Sequence, residues 1–472
     1  MRTKLRKRVW TLAFLGIALT AAWPQSEVGL QSSDSGGEES ATPAAPSPNG
    51  SPAQRIPSIL GLDTTLDAPP ATAESFLLAG ASVSQGTEAE PGDNHGDGAQ
   101  ILSSTRAFGS LHLVKFSRHS ETAVEYVGGG AVLTDTSSQS TIEQLHRLNA
   151  AHRILWQKGS LSLGDSFGDL PGGSFASSAF GGVLASQLGF PSDTGLTDFL
   201  GASEFGGLQQ QAHITNVSMA ELNQALTPRS SVTFAGAYSI TDYFKNSLHL
   251  VNTHQISTRA GYDFLLNPRD EVGVVFEYRR FQFPESNAPD LHTSAVQVFL
   301  GHRISRRADI WLGAGPEITS LGGKVGSNRQ VNVNGGASLR YRLRETTLEL
   351  SYDRLVTKGS GFFAGANSDI ARASVRRPLE RLWEVSLDAG FARNRSLQGN
   401  LSASIPSTLY QYVFVGAGVQ RRLGQSFDLF ARYQVNDERF GNSFCAVSST
   451  CSHPVHLGLI GLGWHIRPIR LD

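Results

Sequence analysis

The stretch from Arg329 to Arg354, RQVNVNGGASLRYRLRETTLELSYDR, has little freedom in how it folds. In steps of two, Val331, Val333, Ala337, Leu339 and Tyr341 fall on one face, and Gln330, Asn332, Asn334, Ser338, Arg340 and Arg342 on the other. That is the period of a strand. After a tight polar turn the alternation resumes, with Leu348, Leu350 and Tyr352 apolar and Thr347, Glu349, Ser351 and Asp353 polar. The result is a hairpin with one apolar and one charged face. Each arm has about ten residues, the length that crosses a bilayer when the strand is tilted.

The same rhythm recurs along the chain. Strand-like segments begin near Ser75, Phe108, Ala123, Glu143, Ser160, Gln210, Ser231, His254, Asp270, Leu291, Asp309, Arg329, Thr346, Ser368, Arg381, Leu409, Ser426 and Val455. The first, SFLLAGASVS, has the faintest pattern, and the segment from Glu143 to Trp156 also fits an amphipathic helix. Short connections lie around Arg118, Lys158, Arg229, Arg269, Arg306 and Arg307, Arg344, Arg377, and Arg421 and Arg422, and they alternate with longer ones, the longest being 165–208. The pattern predicts an all-β fold: a closed antiparallel transmembrane β-barrel of about eighteen strands, with sixteen as the alternative, over residues 74–472. An even count brings both ends to the same side. Closure removes the sheet edges that lipid cannot satisfy. Aromatic girdle candidates are Tyr126, Tyr243, Phe244, Tyr262, Phe281, Phe283, Trp311, Tyr341, Phe391, Tyr410, Tyr412 and Trp464.

Composition narrows the alternatives. Glycine is abundant at 50 residues, and no apolar run after residue 22 approaches the length of a membrane helix. The N-terminus, MRTKLRKRVWTLAFLGIALTAAW, has a basic start, a short apolar core and small residues near Ala22, so 1–22 reads as a cleavable signal peptide. Residues 23–73 are rich in Ser, Pro, Gly and Ala and read as a disordered periplasmic leader. With the signal peptide's Arg2, Lys4, Arg6, Lys7 and Arg8 gone, a chain of 40 basic and 41 acidic residues becomes mildly acidic, which excludes nucleic acid as a partner. In an exported chain Cys445 and Cys451, in FCAVSSTC, pair naturally as a local disulfide. His453 nearby does not turn two cysteines in an oxidising compartment into a zinc site, so no metal is expected.

The hairpin rhythm, the segment EYVGGGAVL and the last strand HLGLIGLGWHIRPI resemble those of porin-like outer-membrane β-barrel proteins from Gram-negative bacteria, over 75–472. The chain departs from them by ending IRLD rather than in an aromatic residue. The resemblance implies the bacterial outer membrane as location, outer-membrane lipid and the barrel-assembly machinery as partners, an oligomer as a possibility, and small polar solutes as cargo, with no cofactor.

If the apolar faces meet lipid, the lumen receives Arg259, Asp263, Glu277, Arg279, Arg340, Arg342, Glu349, Asp353, Arg372, Arg376, Glu384, Asp388, Asp428 and Arg432. Mixed charges on a water-filled wall select among polar solutes, although the same charges also serve as cross-strand ion pairs that hold the wall. The loop 165–208, with Asp165, Asp169, Asp193, Asp198 and Glu204, is expected to fold inward as a constriction, because its phenylalanines need somewhere to pack, with an external cap as the alternative. The leading expectation is a porin-like diffusion channel. Two other classes stay open: a non-conducting scaffold or export component, for example one associated with polysaccharide, and an outer-membrane enzyme. No nucleophile motif or metal-ligand spacing supports the enzyme.

Overall fold

The computed structural model describes residues 75–90, 100–134, 140–170, 212–244, 250–284, 286, 288–322, 328–359, 361–380, 382–397, 408–441 and 454–471. All of these belong to one compact unit, Gln54–Asp472. The segments expected to be a signal peptide and a leader, and Cys445 and Cys451 with their expected disulfide, lie outside them.

Each expected strand forms. In order they are β1 (Phe76–Glu90), β2 (Gln100–Ser117), β3 (Ser120–Thr134), β4 (Ser140–Trp156), β5 (Gly159–Leu170), β6 (His213–Thr227), β7 (Ser230–Tyr243), β8 (Thr253–Leu265) and β9 (Asp270–Gln282). There follow β10 (Leu291–Ser305), β11 (Ala308–Leu321), β12 (Asn328–Leu343), β13 (Thr346–Thr357), β14 (Ala366–Leu379), β15 (Trp383–Ser396), β16 (Leu409–Leu423), β17 (Phe427–Phe440), β18 (Pro454–His465) and β19 (Ile469–Arg470). Every strand from β1 to β18 pairs antiparallel with the next, and β18 closes on β1 through partners such as Gly463 and Ser82. The IRLD tail adds a short extra element: Pro468, which has no N–H for a ladder, separates β18 from β19, and β19 pairs with Phe76 and Leu77 at the start of β1. The segment that also fitted a helix is a strand, β4, held between β3 and β5. Strands β1 to β18 run from 12 to 18 residues, longer than a crossing needs, and project beyond the membrane. Arg377, Arg421 and Arg422 fall inside β14 and β16 instead of in turns, because those strands continue further than their alternation suggests.

Cross-strand partners share a face, so the register assigns every side chain to one side of the wall. The outer face is apolar: Val83, Ile142, Phe234, Val298, Val331, Val333, Val415 and Ile460 are among its most exposed residues. The inner face is polar and largely buried, with Ser104, Thr233, Gln255, Arg279, Glu317 and Asn394 nearly inaccessible. This inversion of a soluble protein's pattern belongs to a barrel that stands in lipid around a polar interior.

Two aromatic levels bound the apolar band. Toward the long-loop end, outward tyrosines reach the neighbouring strand: Tyr126 to His146 (2.9 Å), Tyr278 to His292 (3.0 Å), Tyr433 to His456 (2.7 Å) and Tyr352 to Asp369 (2.9 Å). Toward the short-turn end stand Trp156, Tyr262, Tyr341, Trp383 and Trp464, with the Arg421 guanidinium 5.0 Å from the Trp383 ring. An amphipathic ring suits such an interface because one end is apolar and the other wet. Of the girdle candidates, Tyr126, Phe244, Tyr262, Tyr341, Phe391 and Trp464 are outward and exposed, but Tyr243, Phe281, Phe283, Tyr410 and Tyr412 are buried inside the barrel. Trp311 also faces inward, opposite Ser338, and stacks on Phe299. Those six sit on the polar phase of their strands, where nearness to a strand end does not make them girdle residues.

Candidate functional site

The charged residues expected at the lumen all fall on the inner face by register. Arg259, Glu277 and Arg279 form one group: Arg259 Nε is 2.6 Å from Glu277 Oε1, and Arg279 Nη2 is 2.8 Å from Glu277 Oε2. Arg279 Nη2 also lies 3.7 Å from Glu317 Oε1 on β11, a residue the sequence pattern alone did not single out. Arg340 reaches Glu349 at 3.2 Å across the β12–β13 ladder. Arg432 reaches Asp388 at 3.7 Å over β16, where a Cβ at Gly416 would stand only 3.4 Å from the guanidinium. Asp428 lies 3.4 Å from His465, and Asp263 takes a hydrogen bond from Ser231. Arg342, Asp353, Arg372, Arg376 and Glu384 share this face with the rest. The half-exposed Arg340–Glu349 pair contributes about 0–1 kcal/mol. The fully enclosed Arg279 is a different matter, because losing one partner of a buried pair strands the other.

The acidic residues of 165–208 divide. β5 continues to Leu170, so Asp165 and Asp169 are strand residues on the outward phase, and Asp165 accepts from Ser218 Oγ (2.5 Å) and Asn216 Nδ2 (3.3 Å) on β6. Asp193, Asp198 and Glu204 lie outside the described residues.

A different connection folds inward. β13 pairs with β12 only as far as Arg354 opposite Gly335, while β12 continues against β11 to Asn328. Beyond Arg354, β13 keeps β14 as partner but tucks inside the wall. Val356, on the phase that meets lipid lower down, is wholly buried against Phe281, Phe283 and Leu291 on the inner side of β9 and β10. Having left β12, its backbone needs new partners. Glu317 Oε2 accepts from Val356 N–H (3.2 Å), and Arg279 Nη1 donates to Val356 C=O (2.7 Å). Two side chains of opposite charge thus do for one residue what a neighbouring strand does elsewhere.

From Val356 the chain runs into the lumen as a strap, described at residues 358–359 and 361–365. Lys358 Nζ donates to Thr241 Oγ1 on β7 (3.0 Å), and Val251 N–H donates to Gly361 C=O (2.7 Å). Phe362 packs on Tyr410 (4.8 Å between ring centres) and Phe440 (5.1 Å) from β16 and β17. Tyr243, Leu250, Phe362, Phe363, Ala366, Tyr410 and Tyr412 make one cluster. Since β7 and β16 stand opposite one another in the ring, this cluster joins facing walls. Gly361 permits the approach: its φ is +80°, and a Cβ there would lie 2.5 Å from Tyr243 Oη. Gly361→Val is expected to cost the strap about 1–3 kcal/mol of backbone strain plus the clash. The check is a higher or noisier conductance in planar bilayers with unchanged strand content by circular dichroism.

No family model and no curated protein matches the chain. What the geometry defines is a class: a closed antiparallel barrel of eighteen wall strands with an apolar exterior, a charged interior and an inward strap. Among solved structures the chain is similar to OccAB3 of Acinetobacter baumannii, at 7% identity over 84% of this chain and 100% of that chain, with a TM-score of 0.40. It is also similar to OccK5 of Pseudomonas aeruginosa (9% identity, 84% and 99% covered, TM-score 0.41) and to the outer membrane protein OpdK of the same organism (8%, 83% and 99%, 0.41). Likenesses at these identities and scores carry no weight here, and the barrel stands on its own strand pairings.

Proposed function

We propose that the protein is a porin-like channel of the bacterial outer membrane that lets small polar solutes diffuse, with its short turns toward the periplasm and its long loops outside. The observation that carries this is the lining: a ring of eighteen wall strands presents charged and hydroxyl side chains inward, and rings of sixteen to eighteen strands leave an aqueous channel. The strap at 358–359 and 361–365 then sets the narrowest level, where Lys358 reaches Thr241, Arg279 and Glu317 hold Val356, and Phe362 and Phe363 join the aromatic cluster. No cofactor enters such a mechanism, and selection rests on size and on the paired charges of the wall.

The aromatic cluster that joins facing walls favours a second reading, a non-conducting scaffold or export component whose lumen is closed. Reconstitution in planar bilayers separates the two. Stepwise conductance supports the channel, and insertion without current supports the scaffold.

A further inference from the structure

One row of side chains on the outer face departs from the apolar rule. Arg354 pairs with Asp369, Asp369 with Arg393, Arg393 with Gln411, and Gln411 with Arg439. These neighbours form an unbroken line across β13 to β17, each about 4.8 Å from the next, and because the strands are tilted the line climbs away from the tyrosine belt, from Arg354, two residues past Tyr352, to Arg439, six past Tyr433. Arg395 stands on the same face of β15, one step nearer the long-loop end. The row begins just past the outward aromatic residues Tyr352 and Phe391, where the hydrocarbon gives way to head groups.

A charge facing lipid on a barrel strand costs about 2–4 kcal/mol at mid-membrane and about 0–1 near the interface, so this level tolerates arginine. Tolerance alone does not explain an excess of one sign. Arg280, also just past an outward tyrosine, has its charge met locally by Asp290 at 2.8 Å. In the row, Arg354 reaches Asp369 at 3.6 Å and Arg439 reaches Asp437 at 2.7 Å. Arg393 and Arg395 have no carboxylate within ion-pair distance among the described residues. Two guanidinium groups are therefore left over on one strand, flanked by Gln411, on the long-loop side of the outward aromatic residues.

Guanidinium forks match phosphate oxygens in geometry and charge, and clusters of basic residues beside a membrane gather anionic lipid. With the barrel in an outer membrane, on which this inference rests, we propose that the Arg354–Arg439 row is a binding site for the phosphorylated head group of an outer-leaflet lipid, with Arg393 and Arg395 as its principal donors. Gln411 contributes a further donor. The tyrosine belt below supports the lipid's glycerol or sugar level.

The test uses the full chain. Flotation with phosphatidylcholine vesicles first establishes insertion of the protein and of an Arg393→Gln/Arg395→Gln double variant. Detergent-solubilised protein is then titrated with bis-phosphorylated lipid A and with its dephosphorylated form, and retained lipid is read by native mass spectrometry. The expected result is retention of the phosphorylated lipid only, falling about tenfold in the double variant, as loss of charge-assisted hydrogen bonds requires. Equal retention of both lipids, or unchanged retention by the variant, overturns the site while leaving the barrel intact. A wild-type chain that does not float overturns the membrane reading itself and takes the site with it.

Discussion

Replacing Arg279 with alanine is expected to raise single-channel conductance severalfold while the barrel stays folded. Arg279 donates to Val356 C=O at 2.7 Å and neutralises Glu317, whose other oxygen holds Val356 N–H. Glu277 keeps Arg259 at 2.6 Å, so the loss falls mainly on Glu317 and the strap. Removing one partner from a buried charge pair costs about 3–5 kcal/mol, more than one residue's hydrogen bonds return. The wall's backbone ladders do not depend on Arg279, so the strap yields first. Glu317→Gln keeps an acceptor for Val356 N–H and is expected to have the smaller effect. A displaced β13 also has a defined place to go. Continuing the register past Arg354 and Gly335 sets Val356 opposite Val333, so cysteines at those positions are expected to cross-link in the Arg279→Ala background and not in the wild type. Unchanged current together with no cross-link would count against the clamp.

The second large effect concerns the outer face. Val298→Arg puts a charge half-way along β10 at a site 65% exposed, and about 2–4 kcal/mol of stability should be lost if that site faces hydrocarbon. Val331 is more exposed still, at 73%, but it lies well past Ala337, the partner of Tyr352 in the tyrosine belt, so Val331→Arg is expected to cost only about 0–1 kcal/mol. Urea unfolding after refolding into phosphatidylcholine vesicles gives both values. Equal losses at the two sites would mean that the apolar band is not in lipid.

Much of the wall was legible in the sequence. A strand's period is two, so Val331, Val333 and Tyr341 declared their face, and Arg340, Arg342, Glu349 and Asp353 followed on the other. The eighteen wall strands begin close to where alternation and turn residues place them, apart from β2, whose pattern is masked by Ser103, Ser104 and Thr105. The inward segment was harder to see. Phenylalanine in a glycine-rich loop pointed to 165–208, and the same signal is present in KGSGFFAG at 358–365, where shortness hid it. Glu317 gave no local sign, because its role depends on β13 parting from β12, and pairing between strands is not written in the period of either one. Aromatic residues misled for a related reason: Tyr410 and Tyr412 sit near a strand end but on the polar phase, where the strap is there to receive them.

The parting of β13 from β12 ties the pore to its own wall. Residues 328–334 of β12 keep β11 on one side and, among the described residues, have no strand on the other. The narrowing is thus built from the upper end of a wall strand, not from an appended plug. Widening the passage and completing the staves are the same movement, and the barrel trades a continuous rim for a narrow throat.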